Sequence, residues 1–105
     1  MNWYEKIIAV HLAVTDAVRH SEMMDSDRYF VWQEDGETDL SADNTHTKKI
    51  VHGTTDLYTK EEFDPWKDDF EAALNASPYI SWSMNSIQFE EETGFYHYEW
   101  RWEVI

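Results

Sequence analysis

Cysteine is absent from this 105-residue chain, and glycine and proline are scarce, with three and two residues. Without cysteine there is no disulfide, no thiolate metal site and no cysteine nucleophile. Three scattered glycines do not build a glycine-rich turn that cradles phosphates. No apolar run reaches about 18 residues, so the sequence predicts no transmembrane helix. The first residues lack the basic head and apolar stretch of a signal peptide, which makes the cytoplasm the expected compartment.

Basic residues are also few. The chain has 8 Lys and Arg against 22 Asp and Glu, which gives a formal net charge of −14. A protein that binds nucleic acid by neutralising phosphates needs a basic face, so this composition argues against one. It argues equally against a polybasic membrane anchor.

Aromatic residues, by contrast, make up 16% of the chain. Disordered acidic chains are poor in such residues, so we expect a folded protein. Its length is that of one ordinary domain, and we predict a single domain over residues 1–105. Because so much like charge repels itself, either the core is stable or the charge has a use.

The first half of the sequence predicts a long helix and two strands. Residues 28–34 are β-branched and aromatic and predict a strand, whereas residues 35–44 are acidic and turn-rich and predict a loop. Residues 46–60 predict a longer extended stretch, in which Gly53 indicates a bulge or bend. A helix is predicted over residues 3–22, because apolar residues recur there at three- and four-residue spacing. Its apolar stripe consists of Trp3, Ile7, Val10, Val14, Ala17 and Val18.

The second half predicts a helix and a hairpin. Asp64 and Pro65 form a helix start signal, and we expect the helix over residues 64–76. From residue 80 on, apolar residues alternate with polar ones, and a change of parity indicates a bulge near Asn85 and Ser86. After a turn at residues 91–94, the last strand alternates most regularly. The residues predicted to share its core face are Tyr96, Tyr98, Trp100, Trp102 and Val104.

These elements predict an α+β fold in the order α-β-β-α-β-β. Sequential strands joined by short turns favour antiparallel pairing. We therefore expect a four-stranded, mainly antiparallel sheet with both helices packed on one face.

The sequence predicts no catalytic, cofactor-binding or metal-binding residue. The five histidines show no metal-ligand spacing, and His46 and His52 on one strand would lie about 20 Å apart. The acidic residues 35–44 do not match a calcium-binding loop. Neighbouring carboxylates on a strand point to opposite faces, so they do not form an acid–base pair. We therefore expect the protein not to be an enzyme and to need no cofactor.

Three short stretches carry a resemblance when they are read together. They are residues 29–34 (YFVWQE), 40–44 (LSADN) and 53–60 (GTTDLYTK), followed by a helix and by a hairpin that ends in residues 98–105. This pattern resembles the small tail-completion proteins of long-tailed phages and prophages, also called tail terminators or head–tail joining proteins. The signature of that family is a strand V-W/Y-Q-E, a loop L-x-A-D-N and a strand ending in D-L-Y-T-K.

The resemblance implies a structural protein of the virion tail that is assembled in the host cytoplasm. Such a protein forms a ring, usually a hexamer, between the major tail tube protein and the head connector protein. DNA passes through the ring without specific binding, and a lumen lined with carboxylates would repel its phosphates. The residues we expect to face the lumen or a neighbouring ring are Asp35, Glu37, Asp39 and Asp43. Those we expect at the subunit interface are Glu99, Arg101 and Glu103.

A second interpretation of the charge remains open. A small acidic inhibitor that mimics DNA would occupy the basic cleft of a partner and would also lack a catalytic site. It would be a rigid monomer or dimer with carboxylates spaced like phosphates along one surface. Several acids of this chain fall in predicted loops and turns, which suits such a mimic less well.

Overall fold

The computed structural model describes the backbone of residues 1–43 and 46–105, and the side chains of residues 1–39 and 48–105. Two helices and five strands follow one another along the described chain. They are α1 (Trp3–Leu12), β1 (Val18–His20), β2 (Arg28–Asp43), β3 (His46–Thr59), α2 (Trp66–Ala76), β4 (Ile80–Glu90) and β5 (Phe95–Val104).

The sheet has five strands in the order β1-β2-β3-β5-β4, so the prediction of a four-stranded sheet in the order α-β-β-α-β-β is wrong. The extra strand is β1, which pairs in parallel with β2, whereas the other neighbouring strands are antiparallel. The sheet is therefore mixed.

The first helix is much shorter than predicted, because it ends at Leu12 rather than at residue 22. The hydroxyl of Thr15 accepts a hydrogen bond from the backbone N–H of Ala17 at 3.0 Å, which turns the chain away from the helix. Val18 then pairs with Phe30 in the sheet. Val14 and Val18 still pack against the core, so their helical spacing reflected burial and not a helix.

The prediction of a loop over the acidic residues 35–44 is also wrong. Residues 35–43 continue β2 and pair with β3, whereas Asn44 lies outside the described residues. A register shift between Glu34 and Gly36 makes Asp35 the extra residue of a β-bulge. Since β5 pairs with β3 only from Val51 onward, and Val51 pairs with Glu37, residues 38–43 and 46–50 form a two-stranded arm that extends beyond the rest of the sheet.

Gly53 faces this bulge from the neighbouring strand, where it pairs with Glu34. A Cβ atom at Gly53 would lie 2.5 Å from the carbonyl oxygen of Gln33 and 2.6 Å from the indole ring of Trp102. Glycine is therefore required at position 53 for close packing. The bulge predicted at Gly53 lies instead in the neighbouring strand β2.

Both helices contribute to the core on one face of the sheet. The predicted alternation of β5 is confirmed for Tyr98, Trp100, Trp102 and Val104, which are all buried. The bulge predicted near Asn85 is confirmed as well, by a register shift between Met84 and Ser86. The core has two clusters, one around Phe30, Phe70 and Trp100 and one around Ile7, Trp32 and Trp102. The opposite side of the sheet, which we call the open face, carries mostly polar side chains of β3, β4 and β5.

Candidate functional site

Over residues 1–39 and 48–105, whose side chains the structure describes, no three His, Asp or Glu side chains converge in a way that could hold a metal ion. Among the same residues, no helix is both long enough and apolar enough to cross a membrane. The titratable groups described below instead form pairs and short chains with other groups of the fold.

His11 is the most deeply buried titratable group. Its Nδ1 lies 2.7 Å from the carbonyl oxygen of Ile7, and its Nε2 lies 3.0 Å from Oγ1 of Thr55. Trp102 Nε1 donates to the same Thr55 oxygen at 2.9 Å. The three groups are all satisfied when Nδ1–H donates to Ile7 and the Thr55 hydroxyl donates to Nε2. Burial lowers the pKa of His11 to about 4, so the ring is neutral at physiological pH.

Asp64 and Arg28 join the start of α2 to β2. The Asp64 carboxylate is buried, accepts hydrogen bonds from Arg28 Nε at 2.8 Å and Nη2 at 2.5 Å, and also accepts one from the backbone N–H of Trp66 at 2.9 Å. Burial alone would raise the pKa of Asp64, but these hydrogen bonds outweigh it and lower the pKa. The predicted helix start is thus confirmed in kind, although the helix begins at Trp66, two residues later than predicted, and Pro65 occupies the N-cap position.

The predicted interface residues Glu99, Arg101 and Glu103 all lie on the open face. Glu99 accepts a hydrogen bond from Asn85, Arg101 lies 3.3 Å from Asp35, and Glu103 lies 3.3 Å from His52. A shallow polar cavity of about 280 Å³ runs between β4, β5 and His52, and Arg101 and Glu103 line it. The structure therefore brings these three residues together on one surface.

A further pair on this face is His97 and Asp56, whose Nε2 and Oδ1 atoms lie 2.7 Å apart. The hydrogen bond that His97 donates to Asp56 raises the pKa of His97, and the imidazole stacks on the Tyr58 ring with 4.3 Å between centroids. Desolvation by burial, with several nearby carboxylates, raises the pKa of Tyr58 to about 12.

The predicted lumen residues are not brought together. Asp35 sits in the bulge and contacts Arg101 on the open face. Glu37 and Asp39 follow the bulge, which reverses the parity, and pair with Val51 and Lys49 on the helix-covered side. The carboxylate of Glu37 lies 3.5 Å from Lys49 Nζ. Asp43 is the last residue of β2, and its side chain lies outside the described residues.

Two surfaces were missed by sequence reasoning. One is a groove between α1 and α2, lined mainly by alanines, and the other is the exposed side chain of Phe63. A signal for the first was present, because residues 72–89 contain no Asp, Glu, Lys or Arg in an otherwise highly charged chain. No sequence pattern distinguishes Phe63 from a core residue.

Comparison with known proteins gives a likeness of fold. No protein-family model matches the chain, and no curated protein matches it. A solved chain from the "Virion of native gene transfer agent (GTA) particle" superimposes with a TM-score of 0.53 and 13% sequence identity. The chain shares its fold with a virion component. The likeness covers 96% of this chain and 88% of the GTA virion chain, so it concerns the whole fold and not a single motif.

Proposed function

We propose that this protein is a structural component of a phage-type tail, a tail terminator that caps the tail tube as a ring at the head–tail junction. The observation that carries the proposal is the likeness of nearly the whole chain to the GTA virion chain. The resemblance of residues 29–34, 40–44 and 53–60 to tail-completion proteins supports the finer assignment on independent grounds. The major tail tube protein and the head connector protein would be its neighbours.

The distribution of ionisable groups supports a structural role. The buried ones, His11 and Asp64, have all of their hydrogen bonds made within the protein. Their shifted pKa values follow from burial and from internal partners, which is typical of groups that stabilise a fold. We therefore propose that the protein acts by assembly and not by catalysis.

The open face is our candidate for a subunit interface. Glu99, Arg101 and Glu103 lie there beside a shallow polar cavity, with both signs of charge represented. Exposed ion pairs add little stability within one chain. They do suit a surface that exchanges partners when a second subunit approaches, because an incoming charged group can replace the internal one.

The acids of the bulge and arm have a proposed role in letting DNA pass. Asp35 and Glu37 lie in β2 just before the sheet narrows to two strands, and Asp39 and Asp43 lie in the two-stranded arm. A lumen that repels phosphates keeps DNA from sticking. The test is to replace the four acids by Asn or Gln and to measure DNA ejection from assembled particles. An unchanged rate and salt dependence would refute the lumen role.

The alternative, a DNA mimic, fits less well. A mimic needs free carboxylates at regular spacing along one surface. On the open face, the carboxylates of Asp35, Asp56, Glu99 and Glu103 instead contact Arg101, His97, Asn85 and His52. Competition with DNA for a basic partner would be the sign of a mimic.

Assembly is the direct test of the proposed function. Removing the protein from a producing strain should leave tails of uncontrolled length that do not join heads. Adding the purified chain to isolated tail tubes should place a ring at one end, visible by negative-stain microscopy. Tails of normal length that join heads in its absence would overturn the proposal.

A further inference from the structure

Phe63 is exposed to solvent in a strained backbone conformation, and no contact among the described residues explains this energetic cost. It lies in the turn between β3 and α2, has a φ angle of +54°, and is 86% exposed. A bulky residue in the left-handed region is strained, and an exposed phenyl ring is poorly solvated. The turn is held on both sides, by the Glu61 N–H that donates to Thr59 and by the Arg28–Asp64 pair. Strain that the surroundings enforce in this way points to a function.

The groove between α1 and α2 offers an apolar site of suitable size. Its volume is about 280 Å³. Four alanines leave it open, because their side chains are too short to fill the space between the helices. Its apolar lining comes chiefly from Ala9, Val10, Ala13, Ala73, Ala76 and Pro78.

Phe63 cannot fill the groove of its own chain. It precedes the first residue of α2, whereas Ala73 and Ala76 lie at the other end of that helix. The 11 residues of α2 separate the two features by about 16 Å. A contact between them must therefore join two copies. Two copies can exchange the contact symmetrically in a closed dimer or join head to tail, and repeated head-to-tail contacts close into rings when the rotation allows it.

The charges around the two features are complementary. Phe63 follows two exposed acids, Glu61 and Glu62. Lys6 lines the groove and also belongs to a basic corner with Lys48 and Lys49, so three of the eight Lys and Arg residues gather there. Two copies with a net charge of −14 repel each other over most orientations. Orientations that bring the acidic turn against the basic corner reduce this repulsion.

We propose that Phe63 of one copy inserts into the α1–α2 groove of the next copy and that Glu61 and Glu62 pair with its basic corner. The proposal deepens the ring function and rests on it, because it names the contact by which successive subunits would join. The open face remains available for other contacts.

The absence of cysteine makes disulfide trapping a clean test. The double variant Phe63→Cys/Ala76→Cys should, on mild oxidation of the purified full chain, give a ladder of linked subunits on a non-reducing gel. Mixing the two single variants should give mainly one mixed dimer. The matched control is Phe63→Cys/Gln88→Cys, since Gln88 is exposed on β4 away from the groove. Trapping captures weak association even if the chain is mainly monomeric, and trapping no faster than the control would overturn the proposal.

Phe63→Gly separates assembly from folding. Glycine relieves the positive φ angle, so the thermal midpoint should stay equal or rise. Association should weaken about 30-fold, since the truncated aromatic is the central anchor of the contact. Sedimentation over a concentration series measures the association. For a weakly associating chain, the readout is the rate of oxidative trapping between Glu62→Cys and Lys6→Cys, compared with and without Phe63→Gly. Association unchanged by Phe63→Gly would refute the insertion.

The outcome for the inference can be told apart from that for the ring function. If Phe63→Gly still caps tail tubes and controls tail length, the inference fails and the function stands. If the subunits are trapped as expected but never locate to tail ends, the contact is real and the tail-terminator function is wrong.

Discussion

Replacing His11 by Gln tests the buried polar chain at the centre of the fold. His11 is fully buried, and the aromatic rings of Phe30, Trp32 and Phe70 surround it at centroid distances of 5.7, 6.3 and 4.8 Å. The contacts that reach its ring come from neutral groups, Ile7 and Thr55 among them. Protonating His11 in the folded state would therefore place a charge where nothing compensates for it.

The sign of the pH effect follows from the lowered pKa. In the unfolded chain His11 binds a proton below its ordinary pKa of 6.5, whereas the folded chain resists protonation until the pH falls to about 4. Between these values the unfolded state binds more protons, so the free energy of unfolding falls as the pH decreases. At pH 5 the loss relative to pH 8 amounts to about 2 kcal/mol. That is a large part of the stability of a small domain.

The assay is urea unfolding of the wild type and of His11→Gln at pH 8, 7, 6 and 5, followed by tryptophan fluorescence. The variant should be less stable than the wild type at pH 8 by about 1–2 kcal/mol, because glutamine reproduces the hydrogen bonds only in part. Because the wild type alone loses about 2 kcal/mol between pH 8 and pH 5, the stability difference should fall to zero or slightly reverse in sign at pH 5. The other titrating groups are common to both proteins and cancel in the difference.

A stability difference that does not change with pH would refute the reasoning. The ring protons of His11 provide a second check by NMR, since they should titrate near pH 4, well below the ordinary histidine pKa of 6.5. A titration midpoint near 6.5 would mean that the ring is reached by water.

Three further outcomes are expected. Gly53→Ala should destabilise the protein by about 1–3 kcal/mol in urea unfolding, because the new methyl group overlaps the Trp102 ring and a backbone carbonyl. Asp64→Asn should lower the free energy of unfolding by about 2 kcal/mol in the same measurement, because it removes charged hydrogen bonds to a carboxylate whose pKa is lowered. This contribution is present above the ordinary pKa of 3.8 and is lost as the pH falls through the lowered pKa of Asp64 in the folded protein. Asp56→Asn should lower the pKa of His97 in an NMR titration; in the wild type this pair stabilises the fold below pH 6.5, and its contribution is lost as the pH rises through the raised pKa.

Each of these changes has an internal comparison. Gly36→Ala is the control for Gly53→Ala, because nothing lies within 4 Å of a Cβ atom at Gly36, and equal costs at the two positions would contradict the packing argument. Asp68→Asn, an exposed first-turn acid of the same helix, should be nearly neutral beside Asp64→Asn. A pKa of His97 that does not respond to Asp56→Asn would show that the pair contributes nothing.

Sequence patterns predicted the elements that pack directly on the core. The alternation of β5 and the bulge near Asn85 follow from the two-residue period of a strand, which leaves little ambiguity when large aromatic residues mark one face. The start of α2 was signalled by Asp64 for the reason the structure shows, since its carboxylate accepts a helix N–H.

The errors came where local composition and long-range pairing disagree. Residues 35–43 are poor strand formers by composition, yet they pair with β3, which lies next to them in the hairpin. Val18 follows helical spacing but belongs to a strand, because apolar spacing reports burial and does not identify the element that buries it.

The candidate surfaces were predictable in part. The grouping of Glu99, Arg101 and Glu103 on one face follows from strand parity alone. The placement of Asp35 and Glu37 on opposite faces of the sheet was not predictable in this way, because a single bulge residue reverses the strand parity without a clear signal in the sequence. The exposure of Phe63 depends on a backbone turn that no sequence pattern marks. The groove had only the uncharged stretch of residues 72–89 as a signal, and its shape depends on the spacing of two helices.

The position of β5 in the sheet has a consequence for biosynthesis. This strand lies between β3 and β4 and carries Trp100 and Trp102, yet it follows every other element in chain order. Until it leaves the ribosome, β3 lacks its central neighbour and both core clusters lack their largest side chains. The nascent domain must therefore remain open, exposed to chaperones and proteases, until β5 has emerged, and it acquires its native form in a concerted step after that.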